Sequence, residues 1–89
     1  MQDAIWDIVE KLVAWLDDKS EASAEVAPLL RVLKITEEAG EVAEAVHGAY
    51  GSNPRKGNSH TWTDVESELC DVILTSMVAL KTINPGAAD

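Results

Sequence analysis

The sequence predicts an all-α domain of three helices. Three stretches of the 89-residue chain repeat apolar residues at the i, i+3, i+4 spacing of one helix face. Two segments rich in small and polar residues separate these stretches. No part of the chain shows the alternation of apolar and polar residues that is typical of a strand. No repeat or linker divides the chain, so we expect residues 1–89 to form a single domain.

The first helix is predicted between Asp3 and Asp17. Its apolar stripe consists of Ile5, Ile8, Val9, Leu12, Val13 and Leu16. Trp6 and Trp15 flank the stripe, and we expect both in the core or at a subunit interface. Residues 20–27 are small and polar, which indicates a loop or an irregular lead-in to the next helix.

The second helix is predicted from Pro28 to about Tyr50. Proline suits a first helical turn, where an amide hydrogen would have no partner. Gly48 or Gly51 can adopt the left-handed conformation that ends helices. Residues 51–60 are dense in Gly, Pro, Asn and Ser, so we predict a loop there.

The third helix is predicted to begin at Thr63 and to stop before Pro85. Thr63 and Glu66 have the spacing of a capping box, in which hydroxyl and carboxylate each accept the other residue's amide hydrogen. The apolar positions of this helix are Val65, Leu69, Val72, Ile73, Leu80 and Ile83.

Composition excludes several classes of function. Sixteen acidic residues against seven basic ones give a net charge of −9, which disfavours binding to nucleic-acid polymers and anionic membranes. No apolar run approaches the ~18 residues of a membrane span, and no signal-peptide pattern is present. Cys70 is the single cysteine, which excludes an internal disulfide and indicates a cytoplasmic protein; we expect it to pack.

The small size of the chain predicts a partner. A chain of this mass buries only about 63% of its unfolded surface. Four aromatic residues, no phenylalanine and no disulfide make a monomeric core marginal. We therefore expect oligomerisation, a bound metal or both.

Two acidic pairs of matching spacing indicate a metal site. Glu38 and Glu41 lie one turn apart on the second helix, and Glu68 and Asp71 do so on the third. Each pair borders an apolar arc on its own helix. The arc on the second helix consists of Ile35, Ala39, Val42 and Val46, and the arc on the third consists of Val65, Leu69, Val72 and Ile73. Antiparallel packing through these arcs would bring four carboxylates together, and their repulsion would raise pKa values. Mg²⁺ relieves such repulsion because it prefers oxygen ligands.

A plainer interpretation is that the acidic residues are solvated and serve only to favour helix formation. We favour it for Glu37 and Glu44, which lie further from the apolar arcs. Glu44-x-x-His47 also has the spacing found in di-iron helix bundles, and a dimer would supply the second motif. The ordinary alternative is a histidine that interacts with the dipole at a helix C-terminus.

The sequence around the acidic pairs resembles the E-x-x-E…E-x-x-D signature of MazG-like nucleotide pyrophosphohydrolases. The matching stretches are Lys34-Ile-Thr-Glu-Glu-Ala-Gly-Glu-Val-Ala-Glu-Ala and Glu68-Leu-Cys-Asp-Val-Ile-Leu, and the resemblance covers about residues 28–83. It implies an all-α fold in which Glu38, Glu41, Glu68 and Asp71 bind Mg²⁺, or Mn²⁺ in its place. It also implies cleavage of a nucleoside triphosphate between its α and β phosphates, and a homodimer or homotetramer.

Two glutamates are candidates for the catalytic base. A carboxylate not fully used as a metal ligand would orient or deprotonate the attacking water, and Glu38 or Glu37 is the candidate. Lys34 lies one turn before Glu38, so we expect an i, i+4 ion pair first and a phosphate contact second. Thr75 lies one turn beyond Asp71 and either contacts the ligand or bonds back to its own helix.

The loop and its neighbours offer further substrate contacts. Arg55 and Lys56 either hold the phosphates or are merely solvated. Trp62 either stacks on the base or serves as a hydrophobic staple or an interface residue. His60 is expected to be an ordinary loop residue. Many members of the family continue into a further helix, so a further segment or the partner subunit is expected to supply contacts to the base.

These observations predict a Mg²⁺-dependent nucleoside triphosphate pyrophosphohydrolase. The chain assembles, in this prediction, into an oligomeric helical bundle. One alternative is an acidic helical module that binds nucleotide or acts as a scaffold without catalysis. A second alternative is a di-metal redox helix bundle.

Overall fold

A computed structural model describes residues 3–87 and shows three α-helices: α1 (Asp3–Lys19), α2 (Ala27–Tyr50) and α3 (Trp62–Ile83). No strand occurs within these residues, so the all-α prediction is confirmed. None of the three helices combines the length and apolar character needed to cross a membrane.

Helices α2 and α3 form an antiparallel hairpin. Near one end, Arg31 of α2 donates a hydrogen bond from Nη1 to Thr82 Oγ1 of α3 at 2.9 Å. At the other end, the rings of Tyr50 and Trp62 meet edge to face with centroids 5.6 Å apart. The start of each helix therefore lies beside the end of the other, and the central turns of α2 run alongside α3.

The ends of α2 follow the predicted signals. Pro28 occupies the first turn, and the helix ends at Tyr50, where Gly51 adopts the left-handed conformation with φ 63°. The amide of Ser52 donates to the His47 carbonyl at 3.0 Å and closes the last turn. Of the two glycines considered, Gly51 is therefore the one that ends the helix.

The start of α3 differs from the prediction. Thr61, not Thr63, is the N-cap, and its partner is Asp64, not Glu66. The Asp64 amide donates to Thr61 Oγ1 at 3.3 Å, and the Thr61 amide donates to Asp64 Oδ2 at 2.9 Å. Both threonines are followed three residues later by an acid, so the local pattern was ambiguous. The earlier start places Trp62 inside α3, where it contacts Tyr50.

The apolar core lies between α1 and the second half of α3. Its buried members are Val9, Met77 and Val78, and the half-buried residues packed around them are Ile5, Trp6, Leu12, Val13, Leu16 and Leu74. Trp6 therefore contacts the core as expected. Trp15, in contrast, is 58% exposed.

The seam between α2 and α3 follows the expected apolar arcs in part, since Ile35, Val42 and Val46 of α2 and Val72 of α3 are half-buried. On α2 the buried residues are Ala27, Arg31, Ala45 and Gly48, whereas Ala39 is exposed. On α3, Val65 is buried, but Leu69 and Ile73 are 47% and 54% exposed. The outer members of the two arcs, Ala39, Leu69 and Ile73, therefore lie on the surface of the hairpin. Cys70 is also exposed, which corrects the prediction that it packs.

Candidate metal centre

The α2–α3 hairpin brings three of the four predicted carboxylates together. Glu38, Glu41 and Glu68 each place one carboxylate oxygen within 4.8 Å of the other two. Two come from neighbouring turns of α2 and the third from α3, so the cluster exists only because the two helices pack against each other. Within the described side chains this is the one group of three acidic, histidine or cysteine residues close enough to share a cation.

The cluster is buried on one side and open on the other. The Glu38 side chain is 12% exposed, and Glu68 is half-buried. The Oε2 atom of Glu68 is buried and has no hydrogen-bond partner among the described residues. Glu41 is exposed and forms the solvent side of the cluster. A ligand could therefore approach past Glu41 toward an oxygen that lacks a partner.

Burial and mutual repulsion act on the two inner carboxyls. Burial raises the pKa of Glu38, the neighbouring Glu41 raises it further, and Lys34 lowers it. Burial also raises the pKa of Glu68, followed by the effect of Glu41 and the charges of Asp71 and Glu38. Each shift has the direction expected for carboxylates held together without a cation.

Asp71 lies beside the cluster but is not one of its three members. Its charge raises the pKa of both Glu38 and Glu68, which places it within electrostatic reach of both. It is exposed and lies one turn after Glu68 on α3. Asp71 is thus a neighbour of the three converging oxygens on their solvent side.

Lys34 forms the ion pair that its spacing predicts. Its Nζ atom lies 3.8 Å from Glu38 Oε1 and 4.0 Å from Glu37 Oε2. The Glu37 side chain is 67% exposed and lies outside the cluster. Of the two candidates for the base, Glu38 is therefore the one that the fold brings to the converging carboxylates.

The donor set suits a hard divalent cation. Three carboxylates from two helices offer oxygen ligands of the kind that Mg²⁺ takes, together with water and phosphate oxygens. Such an ion would offset the charges that raise the pKa values of Glu38 and Glu68. The residues present therefore fit a Mg²⁺ or Mn²⁺ ion.

An apolar cleft adjoins the cluster through Lys34 and Thr75. This α1 cleft has a volume of about 360 Å³, and Lys34 and Thr75 both line it. Its apolar wall consists of Leu12, Trp15, Leu16, Leu30, Leu74 and Val78. Thr75 thus faces a cavity that could hold a ligand, as one of its two predicted roles requires.

The other predicted substrate contacts lie around the loop after α2. Arg55 donates its amide to Asn53 Oδ1 at 3.0 Å, and its side chain is exposed. Lys56 Nζ lies 3.9 Å from Glu44 Oε1, and both side chains are largely exposed. Trp62 packs edge to face on Tyr50. The structure therefore gives these residues partners within the hairpin end and does not bring them into the acidic cluster.

Both histidines belong to this hairpin end. His47 Nδ1 and Ser52 Oγ are 2.7 Å apart, and neither His47 nor Glu44 belongs to the acidic cluster. His60 lies in the loop as expected, with Nδ1 2.9 Å from Ser59 Oγ. The arrangement of His47 is that of a helix-end residue bonded to the following turn.

Sequence reasoning missed Arg31, which is 8% exposed and faces both α1 and α3. A signal for it exists: Arg31, Glu38 and Ala45 recur every seven residues and lie along the seam with α3. Trp15 was also not assigned to a ligand cavity, although it lines the α1 cleft. Trp15 lines this cleft together with Leu30 and Leu74. That arrangement depends on how α1 packs, which no local sequence pattern reveals.

Comparison of the chain with protein-family models, with curated proteins and with solved structures gave no match. The chemistry of the site therefore rests on the residues themselves: three converging carboxylates, an unpartnered buried oxygen and an adjoining apolar cleft.

Proposed function

We propose that this protein is a Mg²⁺-dependent nucleoside triphosphate pyrophosphohydrolase. It would cleave the bond between the α and β phosphates and release a nucleoside monophosphate and pyrophosphate. The observation that carries the proposal is the cluster of Glu38, Glu41 and Glu68, in which one buried oxygen has no partner among the described residues. Two acidic pairs on packed helices are the arrangement that the resemblance to MazG-like enzymes requires.

The chain's own residues can bind the two ends of such a substrate. Bound Mg²⁺ would neutralise the triphosphate and polarise the phosphoryl group under attack. Lys34 lies between the cluster and the α1 cleft, so its ammonium group can reach a phosphate oxygen when a ligand competes with its long ion pairs. The apolar cleft beside it, with Trp15 on its wall, suits a planar nucleobase.

Glu38 is the better placed of the two candidates for activating water. Its carboxyl group is buried, its pKa is raised, and it belongs to the cluster. A carboxylate that is not fully used as a metal ligand can orient the attacking water or accept its proton. Glu37 keeps the role of a solvated partner of Lys34.

The proposal includes a second copy of the chain. The molecule exposes 6288 Å², whereas a compact monomer of this mass exposes about 5,100 Å². Its radius of gyration is 15.5 Å, whereas a compact domain of this length has about 12 Å. The excess surface, on the order of 1,200 Å², exceeds the ~800 Å² that each partner buries in a standard interface.

An apolar stripe on α3 is the surface that the second copy would cover. Leu69, Ile73, Leu80 and Ile83 fall within about 80° of one another around the helix and are all roughly half exposed. On α2, Leu29, Val32 and Leu33 face away from α3 and are exposed as well. Contiguous apolar surface of this kind is typical of subunit interfaces.

Product analysis tests the function. Each common NTP and dNTP is incubated with the protein and Mg²⁺, and nucleotides and phosphates are resolved. Monophosphate with pyrophosphate is the expected result, and Glu41→Gln should lower the rate by at least about 100-fold because a ligand carboxylate is lost. Glu44→Gln is the matched control, since it removes an exposed carboxylate one turn along the same helix outside the cluster.

Three results would contradict the proposal: release of orthophosphate alone, equal rates for Glu41→Gln and Glu44→Gln, or no turnover of any nucleotide. Binding of nucleotide with Mg²⁺ but without turnover would favour the non-catalytic module instead.

A further inference from the structure

Arg31 links all three helices at one corner of the molecule. Its guanidinium donates from Nη1 to Thr82 Oγ1 on α3 at 2.9 Å, and Nη2 lies 2.9 Å from Asp17 Oδ1 on α1 in an ion pair that lacks hydrogen-bond geometry. The Thr82 hydroxyl in turn donates to the Val78 carbonyl at 2.8 Å, which orients the oxygen that accepts from Arg31. A buried cation with two short contacts to different helices restrains how those helices sit on α2.

Arg31 also separates two cavities. It lines the α1 cleft and a second cavity of about 680 Å³, whose wall includes Asp17, Lys81 and Thr82. Ser20 and Ala27 also line both, so Arg31 is the largest of three residues that form the partition between the two cavities. Its position therefore helps to set the size and shape of the α1 cleft.

The contact between Arg31 and Asp17 lies in the last turn of α1, close to Trp15 in the chain. Val9 is the fully buried side chain of α1, and it lies two turns before Trp15. Trp15 itself is 58% exposed, and Asp17 follows it by two residues. Beyond Lys19 the chain leaves the helix before α2 begins at Ala27. Core packing anchors α1 as far as Leu16, and the Arg31–Asp17 ion pair adds a restraint at the turn that carries Trp15.

We propose that Arg31 is a positioning residue that sets the width of the α1 cleft by holding the Trp15 end of α1 against α2 and α3. Arginine suits the task because its planar fork presents donors in fixed directions, which lysine does not reproduce. A wall held in place before the ligand arrives lowers the entropy lost on binding. The expected effect of Arg31 on substrate binding rests on the proposed function, whereas its effect on the position of Trp15 does not.

Fluorine NMR of protein labelled with 5-fluorotryptophan tests the positioning directly. The three tryptophans give three resonances, which single Trp→Phe variants assign. Arg31→Met keeps most of the side-chain volume, removes both polar contacts and should fold, because the Asp17 carboxylate that loses its partner is 61% exposed and stays hydrated. Asp17→Asn is a second variant, which removes the charge of the pair but keeps a side-chain oxygen for the buried guanidinium.

We expect Arg31→Met and Asp17→Asn to shift and broaden the Trp15 resonance. The Trp62 resonance should not move, because Trp62 packs on Tyr50 at the other end of the hairpin. Arg31→Lys should restore the Trp15 signal only in part. In turnover assays Arg31→Met should raise KM about tenfold, equivalent to ~1.4 kcal/mol, with kcat changed by less than about twofold.

An unmoved Trp15 resonance in both variants would overturn the proposal. So would equal changes in all three resonances with a lower Tm, which would show general loosening instead of local positioning. If no nucleotide is hydrolysed while the Trp15 resonance still responds, the proposed function fails and the positioning role stands. If hydrolysis occurs and KM does not change, the link from Arg31 to substrate is wrong.

Discussion

At Glu68, one carboxylate oxygen is buried without a hydrogen-bond partner among the described residues, close to the carboxylates of Glu38 and Glu41. Such a group destabilises the fold when it is ionised and unpaired, because neither solvent nor a cation compensates its charge. The raised pKa of Glu68 expresses this, because the folded chain binds the proton of this carboxyl group more tightly than the unfolded chain does. The same oxygen would become a stabilising ligand once a cation is bound.

The stability of the metal-free protein should therefore fall as pH rises above the ordinary carboxyl pKa of 4.5. Because the pKa values of Glu38 and Glu68 are raised in the folded state, that state binds more protons in this range. Their stabilising contribution is complete below pH 4.5 and is lost as pH rises through the folded-state values. Thermal unfolding in EDTA, followed from pH 4.5 to 7.5, measures this loss of stability.

Glu68→Gln should flatten this profile and raise Tm at pH 7 in EDTA, because it removes the buried charge. It should also abolish the rise in Tm that Mg²⁺ gives the unmodified protein. Glu66→Gln, at an exposed position of α3 outside the cluster, should change neither result. A lower Tm for Glu68→Gln at pH 7 in EDTA would contradict the account of Glu68 as a destabilising group.

At the scale of the helices, the N-terminus of α3 decides how the hairpin closes. The Thr61–Asp64 capping box begins the helix one residue before Trp62, and Trp62 then meets Tyr50 at the end of α2. The loop between them is packed closely, since a methyl group at Gly48 would clash with His60 and lie 2.6 Å from Ser59 Oγ. Cap, aromatic contact and glycine together hold this end of the hairpin.

Replacing the N-cap residue distinguishes the two possible starting positions of α3. Thr61→Ala should destabilise the protein by ~1 kcal/mol, the usual cost of losing an N-cap hydroxyl. For a domain of this size that corresponds to a fall in Tm of about 4–8 °C. Thr63→Ala is the matched control and should have an effect near zero. A larger loss from Thr63→Ala would indicate the register predicted from sequence instead.

At the scale of the whole molecule, the chain is elongated, with extents of 45 × 29 × 17 Å, and leaves apolar residues exposed on two helices. A free monomer with this surface would be marginally stable and inclined to associate. In the proposed assembly, a second copy that covers the stripe on α3 would supply the buried apolar area that a single chain lacks.

Sedimentation measures the assembly. The unmodified chain should sediment as a dimer or tetramer of 9.6 kDa subunits at micromolar concentration. Ile73→Glu should dissociate it, because a charge in the centre of the stripe would be buried without a partner. Ile8→Glu is the control, since Ile8 is exposed to the same extent, 54%, but lies on α1. A monomeric unmodified chain would refute the proposed interface.

Sequence alone determined the helices and the acidic pairs, because both are local. The helix breaks follow from backbone preferences within a few residues, as at Gly51, and the one-turn separation of Glu38 from Glu41 follows from helix geometry. Local patterns failed where two answers satisfied them equally, as with the two overlapping capping boxes. They also failed on the first turns of α2, whose apolar residues point in several directions and do not select one face.

Only the tertiary structure decided which faces meet. The seam runs along Arg31, Glu38 and Ala45 of α2, which brings Glu68 to the pair on α2 as the sequence predicted but leaves Leu69 and Ile73 outside. It also set Trp15 on the α1 cleft and Trp62 against Tyr50. The physical reason is that periodicity fixes directions within one helix, whereas the choice of partner face depends on contacts between residues far apart in the chain.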